Sequence, residues 1–446
     1  MRKFRLTKAM VIVATLLSTN AMAQDKVQIP FWNSMTGPLQ TSLQDIVKEF
    51  NQSQDKYQVT SVPKGSYSDT LTATIASVRS HTSPVLAQVY DAGTVTMMIA
   101  GKNVVYPVNE LFKNAGQQLD KKDFIPATLS YYSNGEGQLM SMPFNSSTPV
   151  LYYNKDWFKK AGIKHAPSTW QEYQQDAEKL VKVPNAPQCG ATSSWFMWTM
   201  FESFSAIQNI PYGNHENGFS GLSTQLLPKP NYFIKQITML NNMSKSHAFQ
   251  YKGRDEAPTR YFQNGKCGML MTSSGSYTDI KDTSKFNLGV TTLPYWPSAV
   301  GNKPYRSIIG GASIWALKGH SQAQYKGAAA FLKFLVSDKI QAQWAKETGY
   351  ITVTKSAEQY LEKTGYFKTH PGAKVAYKQL SDDRASAPAD NNNTRGMHLG
   401  FNPEIRATGY NAIESMFQGN LTPKQAVEKL QSKGTAILQQ FKSINS

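Results

Sequence analysis

Hydroxyls, aromatic rings, one carboxylate and one guanidinium fall at the turns and strand ends of this chain, where side chains are free to meet a ligand. Tyr67 follows the alternating run Tyr57, Val59, Ser61 and the turn Pro63-Lys64-Gly65. Asp91 comes directly after the apolar run Val85 to Tyr90. Trp195 and Trp198 follow a β-type run that begins near Cys189. They either pack in a core or wall off the carbon face of a polyol. Ser273-Ser274-Gly275-Ser276 reads as an ordinary turn, or as hydroxyls and backbone amides arranged for an anion. Gly311 interrupts the strand Ile308 to Ser313, which suits close backbone approach to a ligand. Arg406, in Asn402-Pro403-Glu404-Ile405-Arg406, opens a helix, where a surface salt bridge is its plain alternative to a ligand contact.

Enzyme motifs are missing. There is no Walker loop, Gly-x-Ser-x-Gly elbow, Gly-x-Gly-x-x-Gly or His-Glu-x-x-His. The seven histidines are scattered, and His215-Glu216 has no second histidine at helical spacing, so no metal-ligand pattern is visible. Triads are recognised by geometry rather than by motif, so a hydrolase is not excluded on this ground.

The elements that must position these residues are organised around Met142 to Asp156. Pro143 and Pro149 lack an amide hydrogen, so no single strand runs through both. Between them lie Asn145, Ser146, Ser147 and Thr148, and Val150 to Tyr153 then restart a β-type run. Such a polar crossing between two strands is how a chain passes from one lobe to another, and ligands bind preferentially between lobes. Before it, Val27, Ile29 and Phe31 alternate, and Leu39, Leu43, Ile46, Val47 and Phe50 recur at helical spacing. With Leu71, Ile75 and Val78 this makes β-α-β-α-β, the order of a parallel sheet covered by helices on both faces. In such sheets ligands sit beyond the carboxyl ends of strands, where Tyr67 and Asp91 fall. After the crossing, Ser168 with Gln171 and Thr169 with Glu172 form overlapping capping boxes. Further strands are expected near Cys189, from Cys267 and from Phe286 to Leu293, with a terminal helix capped at Thr422-Pro423. Ser381 to Thr394, acidic and Asn-rich, reads as a surface loop.

The first 23 residues read as an export signal: Arg2, Lys3, Arg5 and Lys8, then the apolar Ala9 to Leu17, then Ala21-Met22-Ala23 as cleavage site. Their removal leaves 423 residues, enough for two or three cores, and takes the net charge from +17 to +13. The lysines are spread and no run of five Lys/Arg occurs, so a nucleic-acid partner has no basic cluster to recognise it, while the field attracts anionic ligands. Cys189 and Cys267 each begin a strand in an exported chain. If paired they close a 78-residue loop, which contributes ~4 kcal/mol on the chain-entropy model, but spacing alone leaves the pairing open.

Several blocks together resemble one family, the glycerol-3-phosphate-binding periplasmic proteins of bacterial ABC importers, within family 1 of the extracellular solute-binding proteins. The blocks are Pro30 to Met35, Leu86 to Thr94, Pro143 to Asp156 and Ile308 to Ser313, with the shorter runs Thr348-Gly349-Tyr350 and Pro403 to Arg406. The likeness runs from Val27 to the terminal helix. It implies two α/β lobes, each a mostly parallel sheet flanked by helices, joined by hinge strands and closing over ligand. The lobes would be residues 24–146 with 291–350, and residues 147–290 with 351–446. Carried over by motif, the ligand-binding positions are Tyr67, Asp91, Ser147, Ser273, Gly311, Tyr350 and Arg406, with Trp195 and Trp198 lining the cleft. Where the family pattern has Glu, this chain has Asp91, one methylene shorter.

The resemblance further implies a monomeric periplasmic receptor without cofactor or metal. It would capture glycerol 3-phosphate or glycerophosphodiesters such as glycerophosphocholine and deliver them to the permease subunits in the membrane. Arg406 would offer its fork to the phosphate. Asp91 would accept from glycerol hydroxyls, keeping a carboxylate away from the phosphate. Two other readings are an oligosaccharide receptor of the same fold, suggested by the tryptophans, and a secreted phosphodiesterase using Asp91 and a serine.

Overall fold

The computed structural model describes residues 25–381 and 392–445. The expected export signal lies outside the described residues, as does most of the expected loop between Ser381 and Thr394. Among the described residues no helix is long and apolar enough to cross a membrane.

The strands are β1 (Val27–Asn33), β2 (Tyr57–Pro63), β3 (Leu86–Tyr90), β4 (Val105–Tyr106), β5 (Met142–Ser147), β6 (Pro149–Asn154), β7 (Cys189–Ser193), β8 (Cys267–Ser273), β9 (Leu288–Thr291) and β10 (Gly310–Leu317). They form two sheets. The first runs β2-β1-β3-β10-β4 with β5 also paired to β10, and the second runs β7-β8-β6-β9. The expected parallel order holds for β2-β1-β3 and for β7 beside β8. The strands that carry the chain between the sheets, β5, β6 and β10, run antiparallel to their neighbours, so both sheets are mixed.

Local sequence explains the elements. The helix Gly37–Gln52 buries Leu43, Ile46, Val47 and Phe50 on one stripe and has a proline in its first turn. Ser66 caps the helix Tyr67–Arg79 in a reciprocal box with Asp69. Thr169 and Glu172 form the expected box, but the second oxygen-rich pair does not form. Ser168 gives its amide to the Glu172 carboxylate at 2.7 Å, leaving Gln171 no role at that cap.

The crossing is as short as a crossing can be. β5 belongs to the first sheet and β6 to the second, with Thr148 alone between them. Thr148 takes the Ser274 amide on its carbonyl (2.9 Å) and gives its hydroxyl to the Ile308 carbonyl (3.0 Å). The Gln379 amide donates to Thr148 Oγ1 (3.2 Å) and to the Pro149 carbonyl (2.6 Å). β6 then divides two cores: Val150 and Tyr152 pack with the cluster built on the first sheet, and Leu151 packs with the second. The first cluster also takes in Leu361, Ala376, Tyr377 and Leu380 from the helices Lys355–Lys363 and Pro371–Leu380.

Cys189 and Cys267 are disulfide-bonded. They are direct partners in the parallel β7–β8 ladder, with Cα atoms 4.6 Å apart. At the other sheet, Gly311 has φ +96°, and a Cβ there would come 1.9 Å from the Asn145 carbonyl oxygen. The close approach that the glycine permits is therefore to the neighbouring strand β5, not only to a ligand.

Candidate functional site

All nine residues picked from the sequence meet on one cavity between the two sheets: Tyr67, Asp91, Ser147, Trp195, Trp198, Ser273, Gly311, Tyr350 and Arg406. Tyr90 and Glu256 complete its wall. This inner chamber holds about 50 Å³. It shares Tyr67, Tyr90, Trp195, Trp198 and Arg406 with a larger, outer chamber of about 210 Å³, which Arg254, Asp255 and Tyr410 also line.

Strand ends deliver the first group. Asp91 follows β3, and Tyr67 opens the helix after β2. Ser147 closes β5 opposite Gly310 of β10, and Ser273 closes β8 and takes the Gly275 amide on its hydroxyl. The Tyr67 ring stacks on Tyr90 with centroids 5.3 Å apart, and its hydroxyl accepts from Asn145 Nδ2 at 2.8 Å. The Tyr350 ring stacks on Trp344. Burial, followed by the neighbouring Tyr350 hydroxyl, holds the Tyr67 phenol well above its ordinary pKa, and burial raises Tyr350 likewise. Both are therefore neutral hydroxyls across the usual pH range.

The tryptophans pack on the second core and also line the cavity. Trp198 is buried in the second core and still shows one face to the cavity. Trp195 is half-buried, with φ +49°, and its amide donates to the Asp255 carbonyl at 2.8 Å. That left-handed conformation is costly for a bulky residue and aims the ring into the cleft. Behind Trp198, the α-helical path widens into a π turn over Trp198–Ser203, a feature common at functional sites.

Arg406 lies one turn into the helix Asn402–Phe417, and here the structure corrects two expectations. Its fork is not free. Nε and Nη2 donate to Glu202 Oε1 and Oε2 at 2.8 and 2.7 Å, and Nη2 also donates to Asp91 Oδ2. Asp91 therefore does not stand apart from the guanidinium as a hydroxyl acceptor; it is an ion partner of Arg406. The shorter carboxylate, at the end of β3, is where the guanidinium arrives from the opposite side of the cavity. Only Nη1 has no hydrogen-bond partner among the described residues. Burial pulls the Arg406 pKa down, but Asp91 and Glu202 outweigh it and keep the group firmly charged. Burial pushes the Glu202 carboxyl up, partly offset by Arg406. Tyr131 fixes the Asp91 backbone, donating its hydroxyl to the carbonyls of Asp91 (3.0 Å) and Met397 (3.2 Å).

Glu202, Tyr90 and Glu256 were not found from sequence. Glu202 had a signal: it is the lone charge in Trp198-Thr199-Met200-Phe201-Glu202, and carboxylates are almost never fully buried without a partner. No three of His, Cys, Asp and Glu gather to hold a metal among the described residues. The site can donate one charged nitrogen, Arg406 Nη1, and several neutral hydroxyls to an anion, and cover an aliphatic chain with aromatic faces.

Residues 45–375 match the family model described as bacterial extracellular solute-binding protein. The chain is 39% identical over 441 residues, 98% of each chain, to the sn-glycerol-3-phosphate-binding periplasmic protein UgpB of Yersinia enterocolitica. It is 40% identical over 440 residues, 98% of this chain and 96% of the other, to the protein of that name from Pectobacterium atrosepticum. Among solved structures it resembles UgpB from Mycobacterium tuberculosis in complex with glycerophosphocholine, with TM-score 0.76 and 21% identity over 93% of this chain and 99% of that one. It also resembles the cyclic α-maltosyl-1,6-maltose binding protein from Arthrobacter globiformis, with TM-score 0.67 and 18% identity over 93% and 100%. The structural likenesses establish a two-lobed solute-binding fold. The chain belongs to the bacterial extracellular solute-binding proteins, and within them to the group of the sn-glycerol-3-phosphate-binding periplasmic proteins UgpB.

Proposed function

We propose that the protein is the periplasmic receptor of an ABC importer. It captures glycerol 3-phosphate or a glycerophosphodiester such as glycerophosphocholine and hands it to the permease in the membrane. The observation that carries this reading is the convergence of the nine positions on one cavity at the junction of the sheets. Arg406 Nη1 and the hydroxyls of Ser147, Ser273 and Tyr350 serve as phosphate donors, and the aromatic rings cover the carbon chain. Hydrogen bonds to charged groups contribute ~1.5–3 kcal/mol each, so three or four, less the cost of closure, give the ~8 kcal/mol of a micromolar receptor.

The moving bodies in this reading are residues 24–146 with 291–350 and residues 147–290 with 351–446, pivoting near Thr148. The protein acts as a monomer, and the ligand leaves unchanged. Asp91 is tied to Arg406, and no hydrogen bond among the described residues pairs Ser147 or Ser273 with a carboxylate or a histidine. The Cys189–Cys267 disulfide suits an exported protein.

Calorimetry with glycerol 3-phosphate, glycerophosphocholine and maltose tests the ligand class. Heat with a phosphate ligand and none with maltose is expected; heat with maltose alone rejects it. Incubation with glycerophosphocholine should release neither choline nor phosphate. The oligosaccharide reading draws on the stacked Tyr67 and Tyr90 and the two tryptophans, but it offers the buried guanidinium only neutral hydroxyl oxygens.

A further inference from the structure

The charges around the cavity do not favour a doubly charged anion. Two guanidiniums, Arg406 and Arg254, are the cations among the described residues lining the two chambers. Arg254 is engaged by both oxygens of Glu414, at 2.7 and 2.5 Å, and by Asn411. Arg406 is held between Asp91 and Glu202. Glu256 lines the inner chamber and Asp255 the outer one, and Asp279 adds its field behind Glu256. A phosphate placed at Nη1 thus meets one guanidinium already overcompensated by two carboxylates, with a further carboxylate in each chamber, Glu256 in the smaller and Asp255 in the larger.

We propose that this cleft selects a phosphate bearing a single negative charge: a phosphodiester, or a monoester that has taken up a proton. Glu202, Asp255 and Glu256 act with Asp91 as the residues that set this preference. The proposal rests on the receptor reading above and names its substrate class more closely. The physical reason is that the second charge of a monoester gains attraction from one cation and repulsion from several anions in a partly desolvated site, and also loses more hydration. The neutral donors Ser147, Ser273 and Tyr350 serve either charge state and do not reverse the balance.

The groups facing Arg406 are Asp91 from the turn after β3, Glu202 from the π turn, and Asp255 from the loop before β8. Tyr90, Tyr131, Tyr212 and Tyr410 also face it, and burial keeps all four phenols neutral. Glu404, on the same helix, faces Tyr90. Burial raises Glu202, Asp255 and Glu256, so these carboxyls themselves take up protons more readily in acid. A measurement must separate that titration from the ligand's.

The experiment compares glycerol 3-phosphate with glycerophosphoglycerol, a diester whose single charge does not change with pH. Calorimetric affinities are taken for both from about pH 7.5 to about pH 5.5, in the parent protein and in the carboxylate-to-amide variants below, in which the protein's own titration at those positions is removed and only the ligand's remains. The ratio of monoester to diester affinity should rise about tenfold or more as pH falls through the monoester's second ionisation near 6. A flat ratio, or one that falls, overturns the proposal while leaving the receptor reading intact. Failure of both ligands to bind at any pH refutes the receptor reading and this proposal with it. Glu202→Gln should shift the ratio at pH 7.5 severalfold toward the monoester. Because Glu202 is buried, Asp255→Asn with Glu256→Gln, at two exposed positions, provides a pair that does not test the fold, and the same direction of shift is expected. Variants that leave the ratio where the parent protein has it overturn the assignment to these carboxylates.

Discussion

Arg406 gives Nε and Nη2 to the two oxygens of Glu202, at 2.8 and 2.7 Å, and the same Nη2 to Asp91. One edge of the guanidinium is thereby fixed, and the cavity receives the remaining nitrogen in a defined orientation. The pair comes from two elements packed on the second core, the π turn and the helix Asn402–Phe417, whereas Asp91 follows β3 of the first sheet.

Removal of the guanidinium leaves two buried carboxylates without a counter-charge. Arg406→Ala should lower ligand affinity by on the order of 2–5 kcal/mol and lower the melting temperature as well. Calorimetry and thermal unfolding measure the two effects. Unchanged affinity would remove Arg406 from the site.

The disulfide lies inside the second sheet, and neither cysteine lines the cavity. Cys189→Ala with Cys267→Ala should therefore cost stability, by about 4 kcal/mol for a loop of 78 residues, with affinity little changed. Denaturant midpoints and a binding isotherm on the double variant check both halves of that statement.

Two adjacent glycines should fail differently. Gly311→Ala places a methyl 1.9 Å from the Asn145 carbonyl at φ +96°, so β5 and β10 must part. A loss of roughly 1–3 kcal/mol of folding stability is expected. At Gly310 the added methyl would sit 2.4 Å from the Trp198 ring, which lines the cavity. Gly310→Ala should therefore weaken binding through a displaced indole, with a shifted tryptophan emission as its signature.

His398 stacks on Phe219 with centroids 4.7 Å apart, and burial holds its pKa down to about 4. The unfolded chain takes up this proton near pH 6.5, the native chain only near 4, so between those values acid favours unfolding. Native stability should rise with pH across that window. Because the residue is only half-buried, the effect is discounted to on the order of 1–2 kcal/mol. His398→Phe should flatten the dependence of the urea midpoint on pH between 4 and 6.5; an unaltered slope would show that another group carries it.

Some of this was readable in the residues and some was not. Tyr67 and Asp91 could be placed because strand alternation ends abruptly before each and ligands gather beyond such ends. Pro143 and Pro149 located the change of sheet because neither can donate to a ladder. The disulfide stayed open until the register was known: in the parallel ladder Cys189 and Cys267 are direct partners, and spacing does not reveal register. Glu202 carried only a weak local signal, a lone charge in an apolar run, and that does not say which cation it meets. Its partner stands 204 residues away, and the π turn that aims it leaves no periodic trace. The altered role of Asp91 escaped for the same reason: a residue type at a strand end says that a carboxylate is present, not which cation will reach it from across the cavity.

With Thr148 as the sole residue between two hydrogen-bonded ladders, the polypeptide has only one pair of soft dihedrals at that point. Swinging is available there and sliding is not, because translation of one sheet against the other would have to stretch a one-residue connection. The contacts of Thr148 with Ser274, Ile308 and Gln379 act as stops on the swing. In the receptor reading, rotation about that pair of dihedrals is the motion this crossing leaves to the two sheets.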